Sequence, residues 1–391
     1  MAYLGEDIPN YSKGEIVVMQ IDEENKMLVS KGSSDEDFYE YCGELEAGGF
    51  SKLMSGNTNN ISCAAYRVND DYIYTYYCHK IRQMRVIRGP VDTFSQGECS
   101  ALTYKEATPS ITLIGQDAAS DNGQGYIIML PDGRLVIQDG GNRYNEGDKN
   151  DIIYKAILQI VPGNEPIVIA AWFLSHPHSD HVDAFNEFVE NHGKDENINV
   201  ERVIYNYASG SMYSYLRDDG VTENSGEYVD NIVKLCRENI PTAKLIKAHT
   251  GQVFDFGGAK VTVLFTVEDL LPTDKFDYVN STSMVICLTI EKQSILFLAD
   301  TTHLSGKILE NMYGSSLRSD IVQIAHHGMW ASNSSLYDYI NAPVILWPTT
   351  RKTMEEWLTD STVVVAMSYA KDIYVSDTQN TTLALPLVYN K

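Results

Sequence analysis

Eight consecutive apolar residues, Ile167 to Leu174, run directly into Ser175-His176-Pro177-His178-Ser179-Asp180-His181. A run of this length falls well short of the roughly 20 residues of a membrane-spanning helix. Its β-branched, uninterrupted character fits a strand buried on both faces, the kind found in sheets covered by helices. The loop at its carboxyl end then carries three imidazoles and one carboxylate within six residues, 176–181. Core packing has little use for such a cluster, whereas neutral imidazole and carboxylate are the preferred ligands of Zn²⁺ and similar ions. Alternate spacing lets His176 and His178 converge on one ion from an extended loop. The turn that follows can aim Asp180 and His181 at a neighbouring ion.

Two later segments repeat the strand-then-ligand pattern. Ile295-Leu-Phe-Leu-Ala-Asp300 is an apolar strand ending in a carboxylate, and Ile321-Val-Gln-Ile-Ala is followed by His326-His327-Gly328. Alone, Asp300 reads as a turn cap. Beside the histidine clusters it becomes a bridging ligand between two cations, as in two-metal hydrolytic sites with ions roughly 3.5–4 Å apart.

Around these segments strand and helix signals alternate from about residue 106 onward. Strands are expected at 110–115, 125–130, 135–139, 167–174, 201–206, 243–248, 253–256, 260–265, 283–290, 294–299, 321–325, 344–347, 373–376 and 382–387, with helices at 150–161 and 227–239. This is a layered α/β architecture. Residues 1–105 read as a small α+β domain of unassigned role. A hairpin is expected at 15–30, and a helix capped by Ser34 and Asp37 should stop at Gly48-Gly49. Strands at 61–68, 72–79 and 84–88 follow. Tyr72, Tyr74 and Tyr76 share one face of the second, a face expected to be covered by the helix or the neighbouring domain rather than to bind ligand.

Composition narrows the function classes. Thirty Lys and Arg against 53 Asp and Glu give a net charge of −23, which repels phosphate backbones and argues against a nucleic-acid partner. With 43% hydrophobic and 21% charged residues the chain has ample core material. No signal segment or membrane span is visible, and six scattered cysteines without a CxxC pair read as reduced thiols, so a cytoplasmic location is expected.

The order of these motifs resembles the metallo-β-lactamase-fold hydrolases: HxHxDH after a hydrophobic strand, a strand-terminal Asp about 120 residues later, then His-His-Gly. The hairpin from Gly125 to Gly141 and the segment Asn280-Ser281-Thr282-Ser283-Met284-Val285 add to the likeness, which covers about residues 108–391. The His-His-Gly form is most similar to the branch of competence-channel hydrolase domains and phosphorylcholine esterases. The resemblance implies a four-layer αββα metallo-β-lactamase-like sandwich over 106–391. It also implies a dinuclear centre, of zinc or another divalent metal, acting on an ester-type small molecule.

His176 and His178 would serve the first metal, Asp180 and His181 the second, and Asp300 both. One of His326 and His327 would complete the second. His327 is preferred, leaving His326 to meet substrate. Asn280 and Ser283 would brace the metal loops, and His303 is a pocket candidate. Many members of this fold add a third imidazole to the first metal. His192 and His249 are the only histidines in the interval and read as structural. The expected chemistry is hydrolysis by a metal-activated hydroxide, since Zn²⁺ lowers the pKa of bound water to about 7. Asp180 would accept the proton, with phosphate esters or phosphodiesters favoured. The alternatives are a regulatory module that binds metal without turnover, and a di-iron oxygen or nitric-oxide reductase. The latter resemble HxExD at the position where this chain has His178.

Overall fold

The computed structural model describes residues 4–58, 60–97, 105–115, 123–143, 151–161, 163, 165–214, 225–272 and 278–389. Runs rich in β-branched and aromatic residues, buried almost throughout in the central strands, fold the amino-terminal segment into one antiparallel sheet with strand order β1-β2-β6-β5-β4-β3. Its elements are β1 (Glu15–Gln20), β2 (Lys26–Lys31), α1 (Asp35–Ala47), β3 (Ser51–Thr58), β4 (Ile61–Val68), β5 (Asp71–Cys78) and β6 (Gln83–Pro90). Helix α1 begins at the expected capping box: Ser34 accepts from the Asp37 amide and the Asp37 carboxylate accepts from Ser34. Phe38, Tyr41, Cys42 and Leu45 pack α1 against Ile73, Tyr77 and Val86 on one face of the sheet. Strand β3 escapes the sequence reading because Ser51-Lys-Leu-Met-Ser-Gly-Asn-Thr is polar and largely exposed. Its ladder with β4, which no local propensity encodes, defines it.

Two further sheets form a sandwich. The first contains β7 (Ser110–Leu113), β8 (Gly125–Met129), β9 (Leu135–Asp139), β10 (Ile167–Phe173), β11 (Ile198–Val200), β12 (Arg202–Tyr205) and β13 (Lys244–Lys247). Helices α2 (Ile152–Ile160), α3 (Ser179–His192), α4 (Gly210–Tyr213) and α5 (Ser225–Asn239) are interleaved with them. Residue 150, the expected first residue of α2, lies outside the described residues. The second sheet runs β14 (Val253–Asp255), β15 (Ala259–Phe265), β16 (Val285–Ile290), β17 (Gln293–Phe297), β18 (Ile321–Gln323), β19 (Val344–Trp347) and β20 (Asp372–Val375). With it come α6 (Val267–Leu270), α7 (His303–Tyr313), α8 (Ser334–Ile340), α9 (Arg351–Trp357) and α10 (Ser361–Tyr369). The last strand, β21 (Thr381–Ala384), crosses back to pair with β7 in the first sheet.

Side chains of both sheets interdigitate in a shared inner core, with Ile128, Val136, Phe173 and Ile204 facing Val261, Ile286, Phe297 and Leu346. The outer faces carry helices. Trp172 of β10 packs edge-on against Phe185 and beside Phe188 of α3, at 4.9 and 5.2 Å between ring centroids. Each such buried aromatic contributes about 1.5–3 kcal/mol. This is a four-layer αββα sandwich, the layering expected from the sequence, with the six-stranded sheet added at one side. Among the described residues, no helix is long and apolar enough to cross a membrane. The five described cysteines are free, and Cys99 lies outside the described residues.

The tyrosine face of β5 is covered by the sandwich. Tyr72 bonds His249 Nε2 at 2.7 Å, Tyr74 donates to the Thr250 carbonyl at 3.0 Å, and Tyr76 donates to Asp269 Oδ1 at 2.8 Å. Arg85 of β6, fully buried, donates to the carbonyls of Glu268, Asp269 and Leu271 around the end of α6.

Candidate metal centre

Strand direction gathers the chemistry at one edge of the sandwich. β9, β10 and β12 run parallel, as do β17, β18 and β19. Their carboxyl ends deliver Asp139 from β9, the 175–181 loop from β10, Asp300 from β17, the histidine pair from β18 and the Pro348 carbonyl from β19. Two groups of side chains result, each with its ligand atoms within 4.8 Å of one another: Asp180, His181, Asp300 and His327, and then His176, His178 and Asp300. Asp300 belongs to both.

Within the first group, His181 Nε2 lies 3.2 Å from Asp300 Oδ1, and His327 Nε2 lies 3.0 Å from Asp180 Oδ2 and 3.5 Å from Asp300 Oδ2. His178 is the amino-terminal cap of α3, so Asp180 and His181 stand in its first turn. Asp180 there benefits from the helix dipole.

Outward bonds fix the tautomers. His181 Nδ1 is bonded to the Asp139 carboxylate at 2.8 Å and His327 Nδ1 to the Pro348 carbonyl at 2.9 Å. Each Nδ1 donates outward, so in the neutral ring that a cation binds the Nε2 lone pair faces inward. The single hydroxyl proton of Ser175 goes to Asp139 at 2.8 Å, so its oxygen accepts from His176 Nδ1 at 3.0 Å. His176 Nε2 therefore faces inward as well. His181 Nε2, His327 Nε2 and Asp300 Oδ1 are buried and have no hydrogen-bond partner. Inward lone pairs from imidazoles braced on their far side, converging on carboxylate oxygens, suit a pair of divalent cations.

The electrostatics agree with that fit. Burial opposes a charge on His327, but Asp300 and Asp180 outweigh it and raise its pKa to about 10. His181 is likewise raised against burial by Asp300, Asp180 and Asp139. Asp300 is held well below the usual carboxylate range, because His181 and His327 overcome the cost of its burial. His176 is pushed far down, first by burial and then by His181 and His178. A site that stabilises anions against burial so strongly calls for positive charge, which protons supply on the side chains alone and metal ions would replace.

His326 stands apart from both groups. It accepts from Asn280 Nδ2 at 3.1 Å and lies 3.9 Å from Asp300 Oδ2. Backbone geometry separates the pair: His326 and His327 both take positive φ, 52° and 55°. The next residue must be glycine, for a Cβ on Gly328 would sit 2.4 Å from the Trp347 indole nitrogen, which donates to the His327 carbonyl. Trp330 follows, 65% exposed, its ring 6.0 Å from that of His326 and edge-on to Trp357 at 5.0 Å.

Ser283 Oγ is 3.3 Å from His176 Nδ1 and accepts from the Asp300 amide at 3.2 Å. His303 is exposed at the start of α7 and its ring joins neither ligand group. His192 stacks on Tyr154 at 3.9 Å between Asp151 and Asp195. His249 bonds Glu268 as well as Tyr72. Neither supplies a third imidazole. Sequence reading missed Asp139 and Ser175 as orienting residues, although a carboxylate closing a buried strand before Gly140-Gly141 is the same signal that marked Asp300.

No protein-family model matches the chain, and no curated protein is significantly similar to it. Among solved structures, the chain is similar to CmlA, a diiron β-hydroxylase from Streptomyces venezuelae, at 12% identity and a TM-score of 0.43, over 72% of this chain and 54% of that one. It thus spans about half the length of that protein. It is also similar to a long form RNase Z from yeast (12% identity, TM-score 0.34, 73% of this chain and 42% of that one). A possible metal-dependent hydrolase from Veillonella parvula aligns at 10% identity and a TM-score of 0.38, over 71% of this chain and 100% of that one. Strand order and layering, rather than these likenesses, define the fold.

Proposed function

We propose that the protein is a metal-dependent hydrolase with a dinuclear, zinc-type centre, acting on small ester substrates. Phosphate esters and phosphodiesters are favoured over amides and lactones. The observation that carries this reading is the convergence of two ligand groups on one shared carboxylate, Asp300. Two cations bound there would supply Lewis acidity toward a phosphoryl or carbonyl oxygen and a nucleophilic water at neutral pH.

The chain's own residues supply the rest. The Asp180 side chain, 21% exposed beside the nearly inaccessible His181, His327 and Asp300, is the carboxylate open to solvent and so suited to orient a water and take its proton. The His326 ring, whose Nε2 accepts from Asn280 and lies 3.9 Å from Asp300 Oδ2, stands at the edge of the centre, where it can meet a substrate oxygen as negative charge develops. The phosphate preference follows from the His326-His327-Gly328 resemblance, and the charge of −23 disfavours a nucleic-acid substrate.

The test is turnover of bis-p-nitrophenyl phosphate, p-nitrophenyl phosphate, a simple lactone and a chromogenic β-lactam, with metal content measured alongside. Hydrolysis should cease on chelation and return with Zn²⁺. Asp300→Asn should lose metal and activity together while keeping its far-ultraviolet dichroism. Full turnover by that variant, or iron content with oxygen consumption, overturns the assignment.

A further inference from the structure

The two ligand groups are not equivalent. One offers four side chains including two carboxylates, and the other offers three with Asp300 as its single carboxylate, shared with the first. Their outer support differs in the same direction. His181 is oriented by the full negative charge of Asp139 and His327 by a main-chain carbonyl. His176 leans only on the hydroxyls of Ser175 and Ser283. Carboxylate and carbonyl acceptors raise imidazole basicity more than a hydroxyl does, and losing such a partner costs 10–100-fold in metal affinity.

The inward atoms of the smaller group also pair with each other: His176 Nε2 and His178 Nδ1 are hydrogen-bonded at 3.2 Å. A cation entering there must first break that bond. None of the remaining imidazoles joins the group: His303 is exposed, and His326 Nε2 accepts from Asn280 and lies 3.9 Å from the shared Asp300. His249 is committed to Tyr72 and Glu268, His192 to Tyr154, Asp151 and Asp195, and His79 to Ser62 and Asp35. The first two commitments hold either strand β5 or helix α2 in place, so neither ring can be spared.

Resting on the dinuclear reading above, we propose that the two cation positions are unequal and fill in order. The position at Asp180, His181, Asp300 and His327 loads first and retains its ion. The position at His176, His178 and Asp300 loads second and exchanges readily, so metal availability sets how much of the protein carries the complete pair.

The experiment is calorimetric titration of chelator-stripped full-length protein with Zn²⁺, combined with elemental analysis after dialysis. Two phases separated by at least about tenfold in Kd are expected, with one equivalent surviving dialysis. His178→Ala should erase the weaker phase and leave the stronger one unchanged. His178→Gln serves the same purpose if the alanine variant misfolds. Asp180→Asn should weaken the stronger phase. Two equivalents binding in one phase, or His178→Ala weakening the first equivalent, overturns the inequality while leaving the dinuclear centre intact. Absence of any Zn²⁺ binding overturns both.

Discussion

Asp139→Asn is the sharpest probe of how the centre is built. The carboxylate accepts four hydrogen bonds: the Ser175 amide at 2.7 Å on Oδ1, and Ser175 Oγ at 2.8 Å, Gln124 Nε2 at 3.0 Å and His181 Nδ1 at 2.8 Å on Oδ2. An asparagine keeps a single acceptor oxygen. If that oxygen takes the Oδ2 position, its amide NH₂ faces the Ser175 N–H and a buried donor loses its acceptor. In the opposite orientation three donors are stranded. The first orientation, with one unsatisfied group, is the cheaper and still costs the fold about 1–3 kcal/mol. His181 also loses the charge that orients it and raises its basicity, which costs 10–100-fold in affinity, or about 1.4–2.7 kcal/mol. Zn²⁺ titration of the variant, alongside urea denaturation of its metal-free form, separates the two effects. A variant that binds the first equivalent within threefold of the parent refutes the claim that Asp139 sets the His181 ring.

Other perturbations report on other parts of the argument. Arg85→Met removes the donor to three carbonyls near the end of α6 and takes away the cation beside the buried Asp269 carboxylate, which keeps only the bonds from Tyr76, Thr250 and the Thr266 amide. A stability loss of about 3–5 kcal/mol is expected by urea denaturation, and a loss under 1 would refute the role given to this side chain. Trp330→Ala should change stability by less than about 0.5 kcal/mol, since the ring is exposed. It should raise KM severalfold for p-nitrophenyl esters relative to alkyl esters if the indole flanks the substrate. Burial pushes the Cys236 thiol up to about 12, so it stays protonated at pH 8. Iodoacetamide should label it only after unfolding, as mass mapping of that peptide would reveal.

Much of the sandwich was legible because its strands are short, apolar and closed by polar loops. The eight-residue run at β10 and the hairpin of β8 and β9 need no tertiary information to be found. The helices of the carboxyl-terminal half were harder. In α10 the run Thr362-Val-Val-Val-Ala carries strand propensity, yet it is helical because Asp360 accepts from the amides of Thr362 and Val363 and the helix packs on α8. Strand β3 is set by its partner rather than by its own residues. At the centre, histidine spacing announced the ligand types. What spacing could not convey was which of two adjacent imidazoles turns inward, since that follows from two left-handed backbone positions and a glycine pressed against Trp347.

The seam between the tyrosine face and the sandwich has a practical corollary. Bonds across it run from Tyr72, Tyr74, Tyr76 and Arg85 to His249, Thr250, Glu268, Asp269 and Leu271, all of them buried. Cutting the chain near residue 105 to isolate a minimal catalytic fragment would bare two carboxylates and an imidazole that were shaped to live without water. The shorter piece should therefore aggregate or refold poorly, and biochemistry on this protein is best begun with the chain left whole.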